Sequence, residues 1–178
     1  MKKWIGALCS ALAGALSLVF LCIPAFVVDF SYAPEKYSGW KLLNTKDFNE
    51  IAEVAGKETL TALTWYRVFA WILVVLAIVL ILVAVLQILA NLNVIKVPAI
   101  IDTIGKYALI ALAVVAILTL VANIGIRGEI LDVAKDVVGE DGAKEMAKYY
   151  KIGASLWVVA GINLVAAVCA NLFAKKAK

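Results

Sequence analysis

Four long stretches of the chain contain no charged residue: Trp4 to Val28, Val68 to Ile95, Tyr107 to Ile126 and Ile152 to Ala174, of 25, 28, 20 and 23 residues. A helix rises 1.5 Å per residue and the hydrocarbon core of a bilayer is about 30 Å thick, so each stretch is long enough to cross once and none comfortably twice. The pattern predicts an all-α membrane protein, a four-helix transmembrane bundle forming a single four-span domain. Its spans are expected at about 4–28, 65–92, 105–126 and 151–174, with outer loops at about 29–64 and 127–150 and an inner loop at about 93–104. Met1-Lys2-Lys3 before an apolar run resembles the start of a signal peptide. The run, however, far exceeds the usual 7–15 residues of such a core, and no small residue precedes Cys9 or Cys22, so an uncleaved helix is expected.

Shorter patterns fill the two outer loops, where short extramembrane helices are predicted. Phe30, Tyr32, Tyr37 and Trp40 cluster just past the first span, as an aromatic belt at the headgroup layer would. Asn44-Thr45 offers a helix cap with Asp47 in the first turn; Phe48, Ile51, Ala52 and Ala55 then recur at helical spacing opposite Lys46, Asp47, Glu50, Glu53 and Lys57. Gly56 ends or bends that segment. From Gly128 to Tyr150, Ile130, Leu131, Ala134, Val137 and Val138 share one side of a charged surface, with interruptions at Gly139 and Gly142. Two short helices are expected there, or continuations of the third and fourth spans.

Helices in lipid gain little by burying apolar surface against each other, so small residues that permit close approach mark the packing faces. The first span supplies Gly6, Ser10 and Gly14 four apart; the second supplies Ala70, Ala77 and Ala84 at heptad spacing; the fourth supplies Gly153 and Gly161. These faces are expected to meet within one bundle. In an alternative arrangement, the Gly6-Ser10-Gly14 face joins a second copy or another subunit.

Composition and charge then orient the chain. The mean hydropathy of +0.98 and 65% apolar content fit a lipid solvent. With both ends cytoplasmic, the inner pieces 1–3, 96–106 and 175–178 hold seven lysines against Asp102, a net +6, while the outer pieces 29–67 and 127–151 are each −1. Basic residues are therefore denser inside, which sets a multi-pass topology in the cell membrane with both termini cytoplasmic. The lysines are split among three short pieces and form no basic face, so nucleic acid is not an expected partner. Membrane lipids are, together with either further copies of the chain or another membrane protein.

Candidate chemistry is sparse. No histidine is present, which excludes a Ser-His-Asp triad and a histidine metal site, and Cys9, Cys22 and Cys169 all fall inside the predicted spans. Charges are absent at span depth, leaving the neutral Gln87, Thr119, Asn123, Asn163 and Asn171, expected to make hydrogen bonds between helices. Asp29, Arg67 and Arg127 fall at the outer boundary of three spans. Asp29 is expected to pair with Arg67 or Arg127, or else all three snorkel separately to the headgroups. Asp102 and Lys106, four apart, suit a helix pair. The acids Glu50, Glu53, Glu140, Asp141 and Glu145 match no calcium-loop spacing. No metal site, cofactor or enzymatic activity is implied.

Four spans with a larger first outer loop resemble the layout of tetraspan junction and adhesion proteins such as claudins, and Ser38-Gly39-Trp40-Lys41-Leu42-Leu43 resembles part of their loop signature. The loop has one tryptophan and lacks their cysteine pair, so the likeness is one of topology, which carries no function. The expected role is structural or interaction-based, as an accessory subunit or self-associating membrane component. The alternative is a small transporter or channel subunit using the neutral polar residues or a path on an oligomer axis.

Overall fold

Helices dominate the computed structural model, which describes residues 2–29, 34–56 and 58–175; the side chains of residues 2, 3, 20 and 173–175 lie outside that description. Phe30, Tyr32, Lys57, Lys176 and Lys178 fall outside the described residues. In chain order the elements are α1 (Lys2–Phe20), β1 (Pro24–Val28), β2 (Glu35–Ser38), α2 (Gly39–Asn44), α3 (Asn49–Val54), α4 (Thr61–Asn91), α5 (Ile100–Met146), β3 (Tyr150–Ile152) and α6 (Ala154–Lys175). Three helices, α4, α5 and α6, are long and apolar enough to cross a membrane; α1 holds a shorter apolar segment, Trp4–Val19.

A small antiparallel sheet corrects the all-α expectation. Its order is β2-β1-β3, with Phe26 opposite Tyr37 on one side and Ile152 on the other. The first apolar stretch therefore stops being a helix at Phe20, eight residues before its predicted end. Pro24 explains the stop: it cannot donate a backbone bond and it disfavours helical geometry at Ile23. Beyond it, Phe26, Val27 and Val28 have the branched and aromatic side chains that suit a half-buried strand. At the far end of the sheet, β3 occupies residues 150–152, where the fourth span was expected to begin.

The chain divides into two compact units. One comprises residues 20–70 and 118–157. Its centre is aromatic: Phe26 meets Phe48 edge-on at 5.8 Å between ring centres, Tyr37 lies 5.1 Å from Phe48, and Tyr150 lies 6.3 Å from Phe26. Leu21, Leu42, Leu60, Leu63 and Tyr66 are buried in the same unit. Tyr37 is thus a core residue rather than part of a headgroup belt. The expected cap also moves: Thr45 Oγ1 accepts from the Asp47 amide in a turn, and α3 starts at Asn49 without a side-chain cap. Gly56, at φ +69°, follows the end of α3, and α5 consists of two helical stretches joined at the non-helical Gly139, φ +77°. At these two positions the left-handed backbone favours glycine.

The other unit comprises residues 1–19, 71–117 and 158–178. Here small residues set the spacing. A Cβ added at Gly14 would stand 2.7 Å from the Ala77 carbonyl oxygen and 2.9 Å from Ile81 Cγ1, so α1 approaches α4 to a distance only glycine allows. Ser10, Ala77 and Ala84 are buried, and a Cβ at Gly105 would lie 3.0 Å from Val83 Cγ1 and 3.9 Å from Ser10 Oγ. Gly6, by contrast, has open space where its side chain would be. Gly14→Ala is expected to lower stability in detergent by about 1–3 kcal/mol through overpacking. Gly6→Ala, with better helix propensity and no clash, should leave it unchanged or raise it by up to about 1 kcal/mol. Thermal melting of both variants in the same micelle checks the contrast, and equal effects would contradict the assigned contact.

Candidate functional site

The charges at the span boundaries each reach a different partner. Asp29 pairs with neither arginine: its Oδ2 accepts from Lys151 Nζ at 2.8 Å, and its amide donates to the Tyr149 carbonyl at 2.8 Å, so it extends the β1–β3 pairing. Arg67, on α4, donates to the Thr45 carbonyl in the turn between α2 and α3. Arg127, on α5, donates from Nε to the Tyr150 carbonyl at 2.8 Å and from Nη2 to the Ala147 carbonyl at 3.1 Å. The expected Asp29–arginine pair is therefore replaced by two arginines that bond main-chain carbonyls, those of Thr45 and Ala147 in turns and that of Tyr150 at the start of β3. Carbonyls in turns have no ladder partner, and a guanidinium offers several donors in a fixed fork.

A fourth clip has no signature in the sequence. Glu129 on α5 accepts from the Ala62 amide at 3.1 Å, satisfying one of the orphan donors at the start of α4, a helix with no acid in its own first turn. In the aromatic core, Tyr37 donates to Glu35 at 2.6 Å and lies under Lys41, whose ammonium is 4.1 Å from the ring centre. Burial first, then hydrogen bonds to Glu35 and Asp47, raise the Tyr37 hydroxyl above its ordinary value; burial also raises Tyr150.

Several polar residues of the apolar stretches bond to another segment, Ser155 among them, whose Oγ donates to the Pro24 carbonyl at 3.0 Å. Asn163 Nδ2 donates to Ser17 Oγ at 2.8 Å, joining α6 to α1, and Gln87 Nε2 donates to Asp102 Oδ1 at 2.8 Å, joining α4 to α5. Asp102 therefore bonds to Gln87; the expected pairing with Lys106 is not among the salt bridges formed by the described residues. Asn171 bonds within its own helix, to the Ala167 carbonyl at 2.8 Å. Thr119 and Asn123 are fully buried. Neither the amide nor the carbonyl of the Asn123 side chain has a partner, and each such group costs about 1–3 kcal/mol.

Of the small residues expected at packing faces, Ser10, Ala70, Ala77 and Ala84 are buried and Gly14 lies against Ala77. Gly153 lies outside α6 and packs against the Pro24 carbonyl, which a Cβ there would overlap. Gly161 is exposed, with no atom within 4 Å of where its Cβ would be, and lines an apolar groove of about 510 Å³ between α1 and α6. Cys9 and Cys169 line the same groove. Among the described residues, no three or more acids and cysteines are grouped to hold a metal ion.

Compared with protein-family models, characterised proteins and solved structures, the chain matches none. Its chemistry is therefore read from its own residues: two arginine clips, an inter-helix acid cap, exposed ion pairs of which Asp29–Lys151 joins distant segments, and an unpartnered buried amide. The side chains of Lys151 and Asp29 are 58% and 40% exposed, and ion pairs in water are worth about 0–1 kcal/mol. Asp29→Asn should therefore change stability by less than about 1 kcal/mol, whereas Arg127→Met, which removes the donor to two carbonyls, should cost about 1.5–3 kcal/mol. Melting curves in detergent read both; the reverse order would contradict the roles assigned to Asp29 and Arg127.

Proposed function

We propose that this chain is a four-span integral membrane protein, with α1 as the fourth crossing and both ends cytoplasmic, that serves a structural or interaction role. It acts as an accessory subunit or as a self-associating membrane component. One observation carries this: Asn163 and Gln87, polar groups of the apolar helices, are turned onto Ser17 and Asp102 of neighbouring segments. Side chains spent in this way hold helices in register and are not arrayed along a path. The contact surface is placed on the unit that holds the sheet. There, Val137 and Val138 stand side by side, 63% and 52% exposed, within the charged stretch that follows Arg127. Adjacent exposed valines among charges suit a partner's surface better than water.

A photo-crosslinking residue at Val137, activated in intact membranes, is expected to give one discrete adduct, with either a second copy or another membrane protein. Adding Val138→Asp should reduce it about tenfold, equivalent to roughly 1.4 kcal/mol of contact, with melting unchanged.

Passage of a small polar solute is the second reading, favoured by the unpartnered Asn123. Purified protein in liposomes distinguishes the two. Under the interaction role no flux appears, and Asn123→Leu leaves stability equal or higher because two unsatisfied groups are removed. Flux that Asn123→Leu abolishes would overturn the interaction role in favour of transport.

A further inference from the structure

We propose that the turn between α4 and α5, residues 92–101, is a membrane-surface anchor. Its aliphatic side chains sit in the headgroup layer of an anionic bilayer, and Lys96 and Lys106 engage the phosphates around them. The proposal rests on α4 and α5 crossing the membrane, as proposed above, and not on any interaction role.

Hydrogen bonds fix the turn. α4 ends in a Schellman motif: the Val94 amide donates to the Leu89 carbonyl and the Asn93 amide to the Ala90 carbonyl, both at 3.0 Å, with Asn93 in the left-handed region at φ +59°. The Pro98 carbonyl then accepts from the Ile101 amide at 3.1 Å in the turn that leads into α5. Held in this way, Leu92, Val94, Ile95 and Ile100 are exposed, Val94 and Ile100 by 64% and 62%. Ile100 heads a stripe on α5. Ile104 and Tyr107 follow at helical spacing, are exposed too, and lead on to the exposed Val114, so the apolar surface of the turn is continuous with that of the apolar stretch.

Depth places this surface against lipid. From Lys106 to Arg127 is 21 residues of α5, about 32 Å, and from Arg67 to Gln87 is 20 residues of α4, about 30 Å. Both lengths match a hydrocarbon core of about 30 Å. Gln87 and Lys106 then mark one edge, where Gln87 bonds Asp102 and the exposed Tyr107 is a ring type that favours the boundary. Asn91 lies four residues past Gln87, about 6 Å, and Ile100 six residues before Lys106, about 9 Å. Apolar faces at a membrane surface settle about 5–10 Å into the headgroup and acyl boundary, so the turn is at the depth where they do so.

Charge agrees with depth. Between Ile88 and Lys106 the charged residues are Lys96, Asp102 and Lys106. Both lysines are exposed, and Asp102 accepts from Gln87 Nε2 at 2.8 Å. Two cations beside exposed aliphatic side chains complement phosphates above acyl chains, the pattern that basic residues next to a membrane helix present to an anionic leaflet. That leaflet is already at the level of the turn. A protein partner would have to bring a matching apolar groove to the same level.

The test uses the full chain with Cys9, Cys22 and Cys169 replaced by serine and a single nitroxide-labelled cysteine, Val94→Cys, Ile100→Cys or, as the water-exposed reference, Lys46→Cys. Each is reconstituted in vesicles of phosphatidylcholine and phosphatidylglycerol with a water-soluble nickel complex on both sides of the membrane. Labels at Val94 and Ile100 are expected to meet the complex about tenfold less often than the label at Lys46, as burial of one aliphatic side chain implies. Ile100 reads the depth independently should the Val94 label disturb the turn. Lys96→Glu with Lys106→Glu is expected to raise nickel contact at Val94 about fivefold, because both charges then face phosphates of like sign. Nickel contact at Val94 and Ile100 equal to that at Lys46, or no change in the double variant, overturns the proposal. So does protection found in native membranes and absent from the vesicles, which gives the turn to a protein partner. Alkaline carbonate keeps the readings apart: a chain washed from membranes overturns the spanning proposal and the anchor with it, whereas one that stays while its turn meets the nickel complex overturns the anchor alone.

Discussion

Among acyl tails, a helix has no water to escape from, so bringing two helices together gains only what contact distance and hydrogen bonds supply. In this chain that constraint is met at Gly14, where the α1 backbone lies against the Ala77 carbonyl, and at Asn163, whose amide reaches Ser17. Neither contact needs a large buried area. Both need a small or short side chain at one specific position. Ser10 beside Gly105 follows the same rule, and the large side chains Leu8, Leu12, Val75, Leu82 and Val165 are left exposed, as the proposed spans require.

The unit that holds the sheet follows the opposite rule. Here aromatic rings close on each other, Phe26 and Tyr37 against Phe48, in the way a water-soluble core does. Backbone groups there are bonded through the β1 ladders, by Arg67 and Arg127 on the Thr45 and Tyr150 carbonyls, and by Glu129 on the first turn of α4. Ring packing and charged clips thus join the close approach of Gly153 to Pro24 in the unit with the sheet, while close approach and amide bonds hold the other. The division follows the distribution of charge along the sequence.

How much of this is legible in the sequence follows from the range of each interaction. Length and lack of charge are local properties, and they locate α4, α5 and α6; the glycines mark the breaks at Gly56 and Gly139, whereas Gly142, expected to interrupt as well, stays helical, and the pattern leaves open whether the stretch after Ile126 continues α5. The small residues that matter are visible in the sequence as well, yet spacing alone does not separate Gly14, which is packed, from Gly6 and Gly161, which are open, because that depends on which helix lies opposite. The sheet escapes a sequence reading because Pro24–Val28 looks like the tail of an apolar run; its strand character depends on pairing with residues 35–38 and, more than a hundred positions away, 150–152. Pro24 is the local clue. The same non-local pairing gives Asp29 to Lys151 and frees both arginines for carbonyls, an exchange that charge alone does not predict.

The central claim is the proposal that α1 crosses the membrane together with α4, α5 and α6, which would put Lys46 and Lys135 on one side and both ends on the other. Single cysteines at Lys46 and Lys135, in a chain whose Cys9, Cys22 and Cys169 are replaced by serine, report this through labelling of intact cells by a membrane-impermeant maleimide, alongside tags before Met1 and after Lys178. Four crossings predict that both cysteines are labelled from outside and both tags stay protected until the cells are opened. A tag before Met1 that is accessible outside while the tag after Lys178 stays protected would mean three crossings, and would contradict the account.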